Sequence, residues 1–282
     1  MKKNNRIVIL GGNSFVASNF INLLKKNKIN YLPIFKKNID LTNTNSIQKL
    51  SRLLKRNDTL VFISAIAPVK NFKMLIQNLD MCKNVFEVLK KKKIKYLVYV
   101  SSDAVYSDSQ KKITERSETK PENLHGFMHL MRENILKLLN IKLCIVRPTL
   151  VYGSNDTHNG YGPNQFIRLA QSSQSLSLFG KGEERRDHIH VNDVGNALYF
   201  LINKKYVGTI NLVTGRVNSF FKIAQKIKNL YNIKIKYVKR IGPMPHNGYR
   251  AFNNNLLKKI LPKKYNFIKI FDSINKKEKY KK

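Results

Sequence analysis

The stretch IVILGGNSFVA, residues 7–17, constrains the fold more than any other part of the chain. Ile7, Val8, Ile9 and Leu10 form a short apolar run rich in β-branched residues, which is the pattern of a buried strand. Gly11 and Gly12 turn the chain, and Val16, Phe20, Leu23 and Leu24 recur at helical spacing, so a helix opens near Ser14. Strand, glycine turn and helix N-terminus together make a cradle for an anion. Backbone N–H groups and the helix dipole point at a phosphate, and glycine lets the ligand approach the main chain. The spacing matches G-x-x-G-x-x-G in part: Gly11 holds the first place, while the small residues Ser14 and Ala17 stand in the second and third. An ordinary strand–turn–helix carries the same local text, so the remainder of the chain has to decide.

The remainder repeats the alternation. Residues 29–35 read as a second strand, 60–63 as a third, 94–100 as a fourth and 143–146 as a fifth. Between them, 72–90 is helical, with Leu75, Leu79, Val85 and Leu89 at apolar positions. Thr42 is a candidate N-cap for a helix running to Leu54. The third strand runs into Ser64 and Ala65, small residues that leave room for a ligand at a strand's C-terminal end. The fold class is therefore α/β, a doubly wound parallel sheet of Rossmann type. A dinucleotide fold often ends its second strand on Asp or Glu for the ribose hydroxyls. Here Phe35, Lys36 and Lys37 stand instead. A cation there suits a 2′-phosphate, so NADP(H) is favoured over NAD(H); the plainer account is two more surface lysines.

Those lysines belong to a chain of 282 residues with a formal net charge of +36. Such a charge suits an acidic partner, whether nucleic acid, anionic membrane or phosphorylated substrate. It also suits compositional drift, because Lys, Asn and Ile are all abundant and the lysines are dispersed. Drift is the favoured account. No RNA-recognition signature or aromatic-interleaved basic patch is present, so polyanion binding ranks third among the functions considered. No run is long and apolar enough to span a bilayer, and the basic start lacks a following apolar core. Cys82 and Cys144 lie in apolar segments without metal-ligand spacing, and a reducing cytoplasmic setting is the simplest context.

A set of motifs in fixed order makes the chain more specific. It comprises GGNSFVASNF at 11–20, Asp40-Leu41-Thr42, Asn78, SSDAVY at 101–106, RPTLVYG at 147–153, FGKGEERRDHIHVNDV at 179–194 and NLVTG at 211–215. In this order the chain resembles an extended short-chain dehydrogenase/reductase of the NAD(P)-dependent nucleotide-sugar epimerase/dehydratase family. The resemblance implies a dinucleotide-binding domain over 1–152, to which 187–215 returns. It implies a smaller substrate domain from 153–186 and 216–282. It places Gly11, Gly12, Asn13, Ser14, Phe15, Val16, Lys36, Asp40, Leu41, Ser64 and Ala65 at the cofactor. It places Tyr106, Tyr161, Asn164, Arg186 and Arg250 at a small-molecule nucleotide-sugar substrate. A homodimer is possible on the same grounds.

In such enzymes a tyrosine takes the proton from the sugar hydroxyl. A lysine four residues later lowers the tyrosine pKa and holds the cofactor ribose, and a serine or threonine binds the same sugar oxygen. Ser102 matches the serine. The tyrosine and lysine positions fall on His125 and His129, in LHGFMHLMRE. Tyr265 and Lys269 have the spacing but lie outside the expected helix. Three readings of the histidine pair stay open. His125 is the acid/base, as an imidazole titrating near ~6.5 suits proton transfer at neutral pH, with His129 at the cofactor. The pair binds a metal with Glu133, which is disfavoured for want of further ligands. Or hydride chemistry is lost and the site only binds. Asp103 stands where sugar dehydratases of the family carry an acid, but Ala104 replaces their following glutamate. Elimination of water needs both a donor and a base, so epimerisation or reduction is expected over dehydration.

Further along, 153–166 reads as a loop of turn-formers, and the arginines at 185 and 186 offer planar forks for phosphate. Arg186 is the first choice, with a structural ion pair to Asp187 or Asp193 as its plainer role. His188 and His190 alternate along a strand and suit packing better than ligation. Phe220 to Leu230 reads as a helix and the terminal KKEKYKK as a frayed tail.

Overall fold

The computed structural model describes residues 6–109, 111–156 and 159–275; the tail expected to fray lies outside them. In chain order it contains β1 (Ile7–Leu10), α1 (Phe15–Lys26), β2 (Tyr31–Ile34), α2 (Asn45–Leu53), β3 (Thr59–Phe62), α3 (Phe72–Lys91) and β4 (Tyr96–Val100). A short 3-10 turn, Asp103–Val105, precedes α4 (Leu124–Lys137), β5 (Leu143–Pro148), β6 (Leu150–Tyr152), α5 (Pro163–Gln171), β7 (Leu176–Phe179) and β8 (Arg185–His190). Then come α6 (Val191–Lys204), β9 (Gly208–Leu212), β10 (Val217–Ser219), α7 (Phe220–Tyr231), β11 (Ile235–Val238), β12 (Tyr249–Arg250), α8 (Asn255–Ile260) and α9 (Ile270–Asn275).

The chain forms two compact units. The first takes residues up to Ser107, Ser117–Pro148 and Gly195–Asn211; the second takes Asp108–Arg116, Thr149–Val194 and the chain from Leu212 onward. In the first, a six-stranded sheet runs in the order β2-β1-β3-β4-β5-β9, with the pairings from β2 through β5 all parallel. Its strands read as unbroken apolar runs because both faces are covered: β1, β3 and β4 are buried along their whole length. One core packs Val8, Leu10, Leu60, Phe62 and Leu97 against Cys82, Val85 and Leu89 of α3 and Leu136 of α4. The sheet order reverses at β1, whose neighbours are β2 on one side and β3 on the other. A ligand crevice is expected at that reversal, beyond the carboxyl ends of β1 and β3.

In the second unit, β8 pairs with β10, β12 and β6, and β11 pairs with β7. Its core gathers Tyr152, Phe166, Leu176, Leu178, Phe220, Ile223 and Ile274. Of the segment 187–215 expected in the first domain, only 195–211 groups there. Asp187–His190 pairs with partners of the second unit, and that pairing decides its place.

Two local expectations are corrected. Thr42 does not cap α2: it donates its hydroxyl and its N–H to Asp40 Oδ1 at 2.8 and 3.0 Å, and the helix opens after Thr44. An aspartate that bonds its own backbone two residues on makes a turn, which spends the threonine. The expected loop at 153–166 gives way to α5 at Pro163, since proline's fixed φ suits a helix's first position.

Candidate active site

Gly11 has φ +92, and a Cβ there would stand 2.9 Å from the Ser64 backbone, so only glycine lets the ends of β1 and β3 come so close. A Cβ on Gly12 would meet Pro33 and Phe35 at 2.9 Å. The glycine N–H groups are not the donors expected of them, because both bond the Ile34 carbonyl at 3.1 and 3.0 Å. Their contribution is close approach. The N–H groups that α1 leaves open at its first turn belong to Phe15 and Val16, since Ser14 caps the helix and takes the Ala17 N–H at 3.2 Å. Three features therefore fit a dinucleotide diphosphate: the glycine approach, the capped helix N-terminus, and their place at the sheet reversal.

Around that place the remaining cofactor candidates divide. Ser64 is half-buried and Ala65 exposed. Lys36, with 73% of its side chain exposed, lies 3.8 Å from Asp40 Oδ2. Burial alone would raise the Asp40 pKa, but the Thr42 bonds and nearby Lys36 bring it below the usual value. Leu41 is buried in the core and its carbonyl is taken by Asn84 at 2.8 Å, leaving Asp40 the polar member of that pair.

The end of β4 and the start of α4 meet through Gly126. A Cβ on Gly126 would lie 2.1 Å from the Ala104 carbonyl oxygen and 2.6 Å from Pro121 Cβ. Glycine thus lets the first turn of α4 rest on the 103–105 turn and brings the helix turn bearing His125 to the turn bearing Ser102 and Asp103. Asn123 caps α4, accepting from Gly126 N at 2.9 Å. The register of α4 is pinned lower down. Buried Glu133 accepts from Ser101 Oγ at 2.6 Å and from Arg147 at 2.9 and 2.5 Å, and the Arg147 guanidinium lies 4.7 Å over the Tyr106 ring. Glu133, the third ligand required by a metal site, is spent on this network.

Ser102 accepts from Ala104 N at 3.2 Å, which leaves its own hydroxyl proton to donate. The His125 and His129 rings meet edge-on, 4.7 Å apart at 87°. His129 is buried and lies 2.8 Å from the Tyr99 hydroxyl through Nδ1. Burial above all, then His125 and Arg132, holds its pKa well below the ordinary value, so it is uncharged near neutral pH. Arg132 is fully buried; it donates to the Asn78 carbonyl at 2.9 and 2.6 Å and to the Ser64 carbonyl at 2.8 Å. Tyr99 and Arg132 escaped the sequence reading. Each occupies an ordinary apolar-strand or helix position, and their partners lie 30 to 68 residues away.

Tyr106 is corrected as a substrate residue. It is buried, and its hydroxyl donates to Asn211 Oδ1 at 2.7 Å.

In the second unit the substrate candidates are each engaged. Arg186 pairs with Glu184 at 2.6 Å. Asp187 accepts from Thr214 and Gly215, and Asp193 from Tyr265 and Ile268. The Arg250 side chain is 2% exposed and donates to Asp108 at 3.2 Å, beside His246. Asn164 accepts from Gly153 N and donates to Asp156. Tyr161 packs on Phe166, Phe179 and Phe220, its hydroxyl accepting from Phe179 N at 3.2 Å.

Comparison with known proteins agrees with this architecture. The uncharacterized UDP-glucose epimerase YtcB of Bacillus subtilis is 22% identical over 263 residues, 88% of this chain and 81% of that protein. The structure of the Thermus thermophilus UDP-glucose 4-epimerase in complex with NAD superposes with a TM-score of 0.78 at 17% identity, covering 90% of this chain and 92% of the other. That of RMD from Pseudomonas aeruginosa with NADPH gives 0.82 at 18% identity, over 95% and 96%. The family model described as NAD dependent epimerase/dehydratase matches residues 7–212, well over half of the chain, and the protein belongs to that family.

Proposed function

We propose that the protein is an NAD(P)-dependent epimerase or reductase acting on a nucleotide-activated sugar, with Ser102 and His125 handling the sugar hydroxyl. One observation carries the reading: within a single unit, Gly126 seats the His125 turn on the Ser102 turn, at the end of the sheet that also holds the Gly11–Ser64 approach. A nicotinamide dinucleotide, when bound, accepts and returns a hydride. The protein's own part is proton handling. Ser102 donates a hydrogen bond to the sugar oxygen, and His125 takes and returns its proton. Asp103 adds an acid beside Ser102; without a second acid at Ala104, elimination of water is disfavoured.

NADP(H) is favoured over NAD(H) because Lys36 is an exposed cation just beyond β2, where Asp or Glu would select NAD(H). Arg186 and Arg250 are the guanidiniums suited to the substrate's diphosphate, and Glu184 and Asp108 are the carboxylates it must displace or share. A homodimer is proposed from apolar side chains left exposed on adjacent helices: Phe72 and Ile76 of α3, Phe127 and Met131 of α4. A reducing cytoplasm fits the buried thiols of Cys82 and Cys144, whose pKa values burial pushes up to about 11 and about 12. A binding-only protein is the second reading, favoured by an uncharged His129 where the family carries lysine.

The test is a screen of UDP- and GDP-linked sugars with NADP(H) and NAD(H), following nicotinamide absorbance and sugar products. Turnover that falls by about 10²–10⁴-fold in His125→Ala, and clearly in Ser102→Ala, is expected of an acid/base pair. Cofactor binding without turnover selects the second reading, and turnover unchanged in both variants defeats the assigned roles. Light scattering on the same preparation reads the oligomer; a monomer mass refutes the dimer.

A further inference from the structure

We propose that Tyr99 is a positioning residue: by donating its hydroxyl proton to His129 Nδ1 it fixes His129 as the neutral Nε2–H tautomer. The inference starts from proton counting. Tyr99 is fully buried and its oxygen is 2.8 Å from His129 Nδ1. Arg132 donates to the Asn78 and Ser64 carbonyls, and a guanidinium only donates, so it offers the Tyr99 hydroxyl proton no acceptor. The hydroxyl has a single proton. If Nδ1–H donated to it, that proton would be left buried with no hydrogen-bond acceptor among the described residues, which native structures avoid. The arrangement that gives the buried hydroxyl proton an acceptor runs the Tyr99 hydroxyl to Nδ1, with the imidazole proton on Nε2.

Two consequences follow for the site. Where the family presents an ammonium, this chain presents one uncharged, directional N–H. The fixed positive charge of this neighbourhood lies instead on buried Arg132, whose Nη1 holds the Ser64 carbonyl at the end of β3. Arg132 is anchored there by Asn78, whose own side chain ties down Ile66 N and O at 3.0 and 2.9 Å. The edge contact between His129 and His125 then joins a ring of fixed tautomer to the proposed acid/base. That His129 Nε2–H serves the cofactor ribose rests on the function proposed above; the tautomer itself does not.

The experiment is nitrogen-15 NMR of the imidazole nitrogens at pH 7.5, on protein without cofactor or sugar. The His129 signals are assigned by their loss in His129→Gln. The expected result is an unprotonated Nδ1 and a protonated Nε2 in the native protein, and loss of that single-tautomer signature in Tyr99→Phe. A native protein with Nδ1 protonated, or with a charged ring, overturns the proposal without recourse to any variant. A folded Tyr99→Phe that keeps the native signature overturns the role of Tyr99. Absence of turnover in the sugar screen touches neither result, so failure here and failure of the enzymatic reading are told apart.

Discussion

Gly126→Ala is the sharpest single perturbation of the site. In a helix the exchange gains roughly 1 kcal/mol of propensity. Here the new Cβ falls 2.1 Å from the Ala104 carbonyl oxygen, 2.6 Å from Pro121 Cβ and 2.9 Å from the Ala104 carbonyl carbon. Two of these atoms are backbone and cannot swing aside as a side-chain tip does. Overpacking of this kind costs about 1–3 kcal/mol, leaving a net loss of up to about 2 kcal/mol after the propensity gain. At about 2–4 °C per kcal/mol, the thermal midpoint falls by up to about 8 °C. The functional loss is larger. Relieving the contact moves the start of α4 off the 103–105 turn by on the order of 1 Å, and a displacement of that size costs about 10²-fold in rate. The control is Gly195→Ala in α6, where the nearest atoms to a new Cβ are at 3.6 Å and the outcome is neutral or mildly stabilising. Circular dichroism melts and turnover of the two variants decide the matter. Native turnover in a folded Gly126→Ala, whatever its midpoint, would refute the idea that this glycine seats His125 against Ser102.

Two further outcomes bear on the buried polar groups. Arg147→Met strands the fully buried Glu133 carboxylate and should cost about 3–5 kcal/mol in urea unfolding, with much of the loss recovered on adding Glu133→Gln; a single-variant loss near zero contradicts the network. Burial pushes the His188 pKa down to about 3, so between that value and its ordinary 6.5 the unfolded chain binds a proton that the folded chain refuses. Stability therefore falls as pH drops below 6.5, by roughly 2 kcal/mol at pH 5 from this residue. His129 acts in the same direction, so His188→Phe should flatten the acid limb of a stability–pH curve in part, and an unchanged limb rules the assignment out.

What the sequence determined by itself is what a few neighbouring residues can decide. The apolar run Ile7–Leu10, the glycine turn and the Ser14 cap each act over one to four residues, so their outcome is written locally. The same holds for the i, i+4 placement of His125 and His129 on α4, and the ordered motifs carried the family. Tertiary structure decided who spends each polar group. Nothing near Tyr106 announces Asn211, 105 residues on, and nothing near Arg250 announces Asp108, 142 residues back. Likewise 187–190 joins the second unit only because β6, β10 and β12 are there to pair with β8. A buried donor or acceptor has to find a partner wherever packing provides one, and packing brings together residues whose separation along the chain is arbitrary. Local text therefore fixed which groups the site could contain, and the folded core fixed which of them remain available to a ligand.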